Sequence, residues 1–241
     1  MPLDHLAASK QTDNERAARI LAAARDLLLA WGYKRVTVDE IARRARIGKG
    51  TVYLHWKTKE VLFAELLRRE FHDVMGLVAD RIEQDPATAL PGRLVREVYR
   101  QQVRRPLARA IHISDGDMLG ALATTADGHP VAQELGHHAL LAGLVEVWRK
   151  HALLVTGASA ADQIYVIDTV LSGFLTGGVA TPAARIPAPE RRADLLGQVI
   201  KGAVEPSVTP SEVTLRAAAQ DVRAVLAATQ AATTTGTSSR S

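Results

Sequence analysis

The chain has 241 residues, 47% of them hydrophobic, which suffices for one large domain or for a small domain joined to a larger one. It contains no cysteine, and this excludes disulfides, thiol catalysis and cysteine metal ligands. The net charge is +4, and residues 1–60 carry 12 Lys and Arg against 7 Asp and Glu, whereas the rest of the chain carries 18 against 19. This concentration of positive charge indicates either a polyanionic partner for the N-terminal segment or a solvated helical surface there.

The apolar residues predict an all-α protein that does not enter a membrane. Ala and Leu dominate, and strand-like alternation is nowhere sustained. No run of 18 uncharged apolar residues occurs, and the N-terminal residues lack the apolar centre of a secretion signal. We therefore expect a cytoplasmic protein with no membrane partner.

The first predicted helix begins at Thr12, where a Thr-x-x-Glu capping box occurs, and ends at Gly32. Its apolar face is formed at helical spacing by Ile20, Ala24, Leu27, Leu28 and Trp31.

A second capping box starts the next helix at Thr37. The turn Arg46-Ile47-Gly48 then leads to a third helix from about Lys49 to Trp56, in which Val52 and Trp56 are four apart and should point inward. Two short helices joined by a tight turn, the second opening with Lys-Gly-Thr, are typical of a helix-turn-helix DNA reader.

Thr58 is expected to cap a fourth helix, which should end before Pro86. Its apolar stripe consists of Phe63, Leu67, Phe71, Val74, Val78 and Ile82. Pro106 should break or kink the region that follows. Further helices are predicted near residues 91–105, 107–122, 130–151, 161–181, 189–204 and 211–229, and the polar tail after them is expected to be disordered.

The third helix carries side chains that suit a DNA groove. Gly50 would let the backbone approach DNA closely, and Lys49 can donate to guanine or to phosphate. Thr51 can offer a methyl group to thymine or a hydroxyl to phosphate, while Tyr53 and His55 present donors on rigid rings. The structural alternatives are packing for Tyr53 and plain exposure for His55.

The motifs TVDEIARRA at 37–45, KGTVYLHW at 49–56 and KTKEVL at 57–62 make residues 12–66 resemble the DNA-binding domain of the tetracycline-repressor (TetR) family of bacterial regulators. Two positions depart from the family pattern: Arg46 stands where Gly is usual, and Gly48 where Ser is common. The resemblance implies DNA contacts by Thr37, Gly48, Lys49, Gly50, Thr51, Tyr53, Leu54, His55 and Lys59. Thr37 has a capping role in either case.

The resemblance also implies a three-helix DNA-binding domain over 12–58 and a helical ligand-binding and dimerisation domain over 59–229, with disordered tails at 1–11 and 230–241. A homodimer would read a palindromic operator in double-stranded DNA. Its interface is expected at the helices near 161–181 and 189–204, where Gly173, Gly177 and Gly178 would allow close approach, unless both helices are buried within one subunit. The helix near 211–229 would cover or extend that interface.

A small-molecule effector is expected to bind among the fourth to eighth helices. With aromatic residues at only 4%, the pocket should be aliphatic and suit a lipophilic ligand. The candidate lining residues, each of which could instead belong to the core or the surface, are Met75, Tyr99, His112, Met118 and Trp148. The implied function is a repressor released from DNA by its ligand; the alternatives are an effector-independent DNA-binding protein and a helical enzyme.

Residue spacing argues against other kinds of site. The sequence GKGT at 48–51 lacks the first glycine and the preceding strand of a phosphate-binding loop. His137 and His138 are adjacent and would point about 100° apart on a helix, and His112, Asp115 and Asp117 fit a solvated polar turn. We therefore expect no metal, no cofactor and no enzymatic activity.

Overall fold

A computed structural model of the chain describes residues 3–124, 131–177, 182 and 185–235. Within these ranges every regular element is helical, which confirms the predicted all-α class, and no helix there is long and apolar enough to span a bilayer. The α-helices are α1 (Leu3–Trp31), α2 (Val38–Ala45), α3 (Lys49–His55), α4 (Lys59–Gln84), α5 (Pro91–Arg104), α6 (Pro106–His112), α7 (Gly116–Leu119), α8 (Val131–Glu134), α9 (His137–Lys150), α10 (Ala160–Thr176), α11 (Pro189–Val204) and α12 (Glu212–Thr235). Short 3₁₀ turns occupy Tyr33–Arg35, Pro86–Ala89 and Gly120–Ala123.

The chain forms two compact units whose boundary falls within α4. The first unit comprises Met1–Arg69 and Ser114–Val131, and the second comprises Glu70–Ile113 and Ala132–Ser241. The domain boundary predicted between residues 58 and 59 falls at the start of α4, and the division between the compact units falls 11 residues later. The difference arises because the first turns of α4 bury Phe63 and Leu67 in the first unit, while the apolar stripe continues into the core of the second.

Helix α1 begins earlier than its capping box predicted. It starts at Leu3 rather than Thr12, because the Leu- and Ala-containing residues before Thr12 favour helix and leave that box inside the element. The predicted disordered segment 1–11 is therefore helical from residue 3. Ile20, Ala24, Leu27 and Leu28 are buried as predicted, whereas Trp31, at the helix end, is 37% exposed.

Gly32 ends α1 as predicted, and its conformation depends on the lack of a side chain. Its φ of 72° lies in the left-handed region, and a Cβ there would lie 3.1 Å from the carbonyl oxygen of Asp117. Helix α7 can therefore pack closely against this turn within the first unit.

Two predicted long helices are interrupted. The region 107–122 divides into α6, α7 and a 3₁₀ turn, because Ser114 has a positive φ of 49° and Asp115 caps α7 by accepting from the backbone N–H groups of Asp117 and Met118. The region 130–151 divides at Gly136, whose φ of 82° separates α8 from α9. Both breaks occur at left-handed residues that a helix cannot contain.

Pro106 separates α5 from α6 as predicted, and α4 ends at Gln84, before Pro86. In the second unit, α5 packs most extensively on α11. A Cβ at Gly92 would lie 2.6 Å from the carbonyl oxygen of Gly197, so the two backbones touch at this crossing. This close approach lies within the subunit. Gly173, at which close approach of helices was expected at the dimer interface, has open space beside it within the subunit. Gly178 lies outside the described residues.

Helix α12 completes the core of the second unit. It packs on α9 and on the turn Pro86–Ala89, and it buries Ala218, Ala219, Val222 and Leu226. It continues to Thr235, so the predicted disordered tail is helical over 230–235. Gln230 Nε2 donates to the carbonyl of His72, which anchors this last part of the helix.

Candidate functional site

The turn between α2 and α3 has the conformation expected of a helix-turn-helix. Arg46 adopts φ 56° and ψ 49°, and the N–H of Ile47 donates to the carbonyl of Ala42, so that the last turn of α2 closes in a Schellman motif. A non-glycine residue in this region costs about 1–2 kcal/mol. Arg46 therefore reproduces the turn that glycine usually makes, at a local energetic cost. Gly48 caps α3 with extended backbone and no side-chain bond.

Helix α3 has one buried face and one exposed face. Val52 and Trp56 are 1% and 8% exposed, which confirms their predicted inward orientation. Gly50 and Leu54 lie four residues apart on the opposite side, and Lys49 and Tyr53 are exposed at the edge of the buried face. Leu54 is 85% exposed, so packing among the described residues does not account for a large apolar side chain at this position. The remaining candidates Thr51 and His55 are half-buried.

The charge at the start of α3 is exposed but paired. Lys49 Nζ lies 2.8 Å from a carboxylate oxygen of Asp39 on α2, and both side chains are exposed. The hydrogen bond and the charge of Asp39 raise the pKa of Lys49. The ammonium group is therefore protonated at neutral pH and held at the N-terminal end of the exposed face. A polyanion could displace Asp39, because an exposed ion pair is weak.

Thr37 caps α2, as the sequence predicted. Its hydroxyl oxygen accepts from the backbone N–H of Glu40, while a Glu40 carboxylate oxygen accepts from the backbone N–H and the hydroxyl of Thr37. The residue is exposed, with the N-terminus of α2 beside it. A helix N-terminus favours anions, so this position suits a phosphate.

Lys59 is more constrained than the sequence suggested. Its Nζ donates to the carbonyl of Tyr33 at 2.8 Å and lies 3.9 Å from the centre of the Tyr33 ring. Burial lowers the pKa of Lys59. The Tyr33 hydroxyl donates to Glu60, and burial together with this bond raises the pKa of Tyr33. Lys59 thus joins the start of α4 to the turn after α1, whichever contacts it also makes with DNA.

The second unit contains a cavity of about 80 Å³ bordered by helices α4, α5, α6, α8, α9, α10 and α12. Most of its wall is aliphatic, as expected from the low aromatic content. Of the predicted lining residues, Met75, His112 and Trp148 border it. Trp148 is fully buried, and its indole N–H donates to the carbonyl of Ala89 at 2.7 Å.

The other two predicted lining residues lie elsewhere. Tyr99 is fully buried but does not border the cavity; its ring packs edge-on against Phe174, and its hydroxyl has no hydrogen-bond partner among the described residues. Met118 belongs to α7 in the first unit. The sequence could not separate these residues from Met75, because all are apolar or aromatic residues that a helical protein buries.

One end of the cavity is polar and was not predicted as a group. His137 Nε2 lies 2.9 Å from a carboxylate oxygen of Asp168, and the rings of His112 and His137 meet edge-on with centroids 4.5 Å apart. Gln102 also borders the cavity. Burial, followed by the neighbouring His137, lowers the pKa of His112 to about 3, so this imidazole is neutral at physiological pH.

The sequence contains a pattern that could have indicated this polar end of the cavity. Gln102 lies at helical spacing with Leu94, Val95 and Tyr99 on α5, and Asp168 with Ile164, Leu171 and Leu175 on α10. A polar residue within such an apolar stripe faces the core and needs a partner there. Sequence alone does not say which partners meet.

Comparisons with known proteins agree with this architecture. Residues 20–66 match the family model described as bacterial regulatory proteins, tetR family. The uncharacterized HTH-type transcriptional regulator YhgD of Bacillus subtilis is 44% identical over 52 residues, covering 22% of this chain and 27% of YhgD. The matched segment spans less than half the length of the curated relatives.

Solved structures share the fold over most of the chain. NalD, the secondary repressor of the MexAB-OprM multidrug efflux pump in Pseudomonas aeruginosa, has a TM-score of 0.57 at 18% identity and covers 82% of this chain and 100% of its own. FadR from Bacillus subtilis in complex with stearoyl-CoA has a TM-score of 0.56 at 17% identity, covering 76% and 96%. Residues 20–66 therefore carry the helix-turn-helix segment of the bacterial regulatory proteins of the tetR family, and the chain shares its helical fold with these solved structures.

Proposed function

We propose that the protein is a homodimeric transcription repressor that binds a palindromic operator and leaves it when a lipophilic molecule binds. The observation that carries the DNA-binding part is the exposed face of α3, where Leu54 is 85% exposed beside Lys49 and Tyr53. An apolar side chain held in solvent on a basic helix-turn-helix is suited to contact thymine methyl groups in the major groove. Residues 12–58 would form this DNA-binding domain.

Different residues would read bases and hold phosphates. Lys49 and Leu54 would face base edges, and Gly50 would let the backbone approach them. The N-terminus of α2 at Thr37 and the hydroxyl of Tyr53 would bind phosphates on either side of the groove. Contacts to phosphate by the remaining candidates Gly48, Thr51, His55 and Lys59 would position the helix without selecting sequence.

We further propose that α10 and α11 form the dimer interface. Ile167 and Leu171 on α10, and Leu196 on α11, are buried within the subunit's own core. Other positions on the same helices remain exposed. They are Tyr165, Thr169 and Gly173 on α10, and Val199, Gly202 and Ala203 on α11. These mostly small or apolar side chains suit close packing of two helix pairs. A dimer would place two reading helices on half-sites about 34–36 Å apart.

The effector would enter the aliphatic cavity of residues 59–229. A wall of Val, Leu and Met side chains favours an apolar ligand, in keeping with the acyl-CoA in the FadR complex. Ligand sites commonly enclose about 300–1,000 Å³, so the cavity of about 80 Å³ must widen when a ligand of that size binds. Such a ligand would prefer a conformation with a wider cavity, and it would weaken DNA binding only if that conformation binds DNA less well. Helix α4 joins the cavity wall to the DNA-binding domain as one continuous segment.

Fluorescence anisotropy with duplex DNA from directly upstream of the protein's own gene tests DNA binding. We expect tighter binding to this DNA than to a scrambled duplex, with an affinity that falls as salt rises. Lys49→Ala should weaken specific binding and reduce the salt slope by about 1 without lowering the melting temperature. Lys150→Ala is the matched control, because Lys150 is an exposed lysine paired with an aspartate in the second unit. Equal affinity for scrambled DNA would refute the proposal.

Sedimentation equilibrium tests the interface. Val199→Arg should shift the protein from dimer to monomer, because a charge replaces an apolar side chain at the proposed contact. Leu77→Arg is the control, since Leu77 is an exposed apolar residue of α4 and belongs to neither helix of the proposed interface. A wild-type monomer, or a Val199→Arg dimer of unchanged affinity, would contradict the assignment.

A further inference from the structure

The polar end of the cavity brings together three side chains with metal-ligating atoms. His112 ends α6, His137 begins α9 and Asp168 lies in the middle of α10. One ligating atom from each residue can be chosen so that all three lie within 4.8 Å of one another. All three side chains are partly buried and border the cavity. Three helices that are distant in sequence therefore converge on one small volume.

The separations are close to those of a chelating group. Two ligands bound at about 2.0–2.2 Å can be at most about 4.4 Å apart, and about 2.9 Å apart when they subtend a right angle at the ion. His137 Nε2 and the nearest Asp168 oxygen are already 2.9 Å apart. In a tetrahedral site the ligand atoms are about 3.4 Å apart, so a pair as far apart as 4.8 Å would have to close by about 1.4 Å, which side-chain rotation can provide.

The surroundings of His112 suit a ligand imidazole. Its Nε2 lies 3.1 Å from Ser172 Oγ, and its Nδ1 lies 3.2 Å from Gln102 Nε2. A bound imidazole donates its second N–H to an acceptor that orients the ring. Rotating the Gln102 amide by 180° would present Gln102 Oε1 to the Nδ1–H of His112. The Nε2 atom of His112 would then have a lone pair available for an ion.

A second observation points to a missing polar partner at the same place. Gln102 is only 7% exposed, it borders the cavity, and its Oε1 has no hydrogen-bond partner among the described residues. A buried oxygen without a hydrogen-bond partner is energetically unfavourable. The amide rotation described above would supply that oxygen with a donor once His112 binds an ion through Nε2.

We propose that His112, His137 and Asp168 bind one divalent transition-metal ion of borderline softness, with Zn²⁺ as the representative. Two imidazoles and one carboxylate suit Zn²⁺, Co²⁺ or Ni²⁺ better than Mg²⁺ or Ca²⁺, which prefer all-oxygen sites. Three protein ligands leave a position of a tetrahedral ion open. Water, or an anionic group on a molecule in the cavity, would complete the coordination. The proposal does not depend on DNA binding.

Isothermal titration calorimetry of tag-free, chelator-treated full-length protein with ZnCl₂ tests the site. We expect one ion per chain and no comparable binding of Mg²⁺. Titration with Co²⁺ should give the visible absorption of a four-coordinate site with nitrogen and oxygen ligands. Failure of the wild-type protein to bind Zn²⁺ stoichiometrically would overturn the proposal, and it would leave the DNA-binding proposal intact, because no DNA takes part.

Variants then assign the ligands. Asp168→Asn and His137→Asn should each weaken Zn²⁺ binding by about 100-fold or more, since loss of an outer-shell partner alone costs about 10–100-fold. Gln102→Leu should weaken it by about 10-fold. His138→Ala is the matched control, because His138 is the exposed neighbour of His137 on the same helix. Circular dichroism confirms the helical fold of each variant. Full affinity in Asp168→Asn, or an equal loss in His138→Ala, would place the ion elsewhere and refute the site.

Discussion

Gly50 offers a test that separates a DNA-binding role from a structural one. It is the second residue of α3, and a Cβ built there meets nothing within 4 Å. Its backbone is not in the left-handed region. Alanine in a helix is more stable than glycine by about 0.5–1 kcal/mol, mainly because glycine loses more backbone entropy on folding. Gly50→Ala should therefore raise the melting temperature by about 1–4 °C for a chain of this size.

The same substitution should weaken operator binding. A methyl group on the exposed face would hold α3 away from the groove, and a loss of about 1.4 kcal/mol corresponds to about tenfold weaker affinity. Thermal denaturation and anisotropy measure the two effects on one preparation. Gly76→Ala is the matched control: Gly76 is a helical glycine of α4 with open space beside it, so its substitution should stabilise without changing DNA affinity. Unchanged affinity in Gly50→Ala would refute the close approach, and a lower melting temperature would show that Gly50 is structural.

Three further substitutions test the packing and electrostatics. Burial raises the pKa of Glu65, but hydrogen bonds from two arginines outweigh this and leave it lowered. The ionised Glu65 therefore stabilises the fold above about pH 4.5, and this stabilisation is lost as pH falls through the folded-state pKa. Glu65→Gln should lower the free energy of unfolding by less than about 1 kcal/mol at pH 7, and variant and wild type should become equally stable in acid. Thermal melts at pH 3–7 would show this. Trp148→Phe removes the donor to the buried carbonyl of Ala89 and should cost about 2–4 kcal/mol in urea denaturation; a smaller loss would mean that water replaces the indole. Gly92→Ala places a methyl 2.6 Å from a carbonyl oxygen of α11 and should cost about 3 kcal/mol, whereas an unchanged unfolding midpoint would contradict the backbone contact.

The helix-turn-helix could be read from sequence because its signals are local. The capping box at Thr37, the cap at Thr58 and the stop at Gly32 each depend on residues within one turn. The inward orientation of Val52 and Trp56 follows from helical periodicity alone. The same local rules misplaced the start of α1, because the capping box at Thr12 lies within a longer stretch of helix-favouring residues.

Long-range contacts could not be predicted from the sequence. Lys59 looked like a free phosphate ligand, yet its ammonium is held by the carbonyl of Tyr33, which lies 26 positions earlier. Tyr99 and Met118 had the composition of pocket residues, but burial beside Phe174 and a place in the first unit keep them from the cavity. The mostly aliphatic wall of the cavity agrees with the composition, because it depends only on which residue types a helical core contains.

The sequence by itself determined the all-helical class, the two-helix reading motif and the face of α3 that meets solvent, since caps and a 3.6-residue period act over a few residues. Only the tertiary structure decided that α5 and α11 touch at Gly92 and that three distant helices bring His112, His137 and Asp168 together. Contacts of this kind depend on how whole helices pack against one another. The spacing of residues in the sequence does not show which side chains of two separate helices will be in contact.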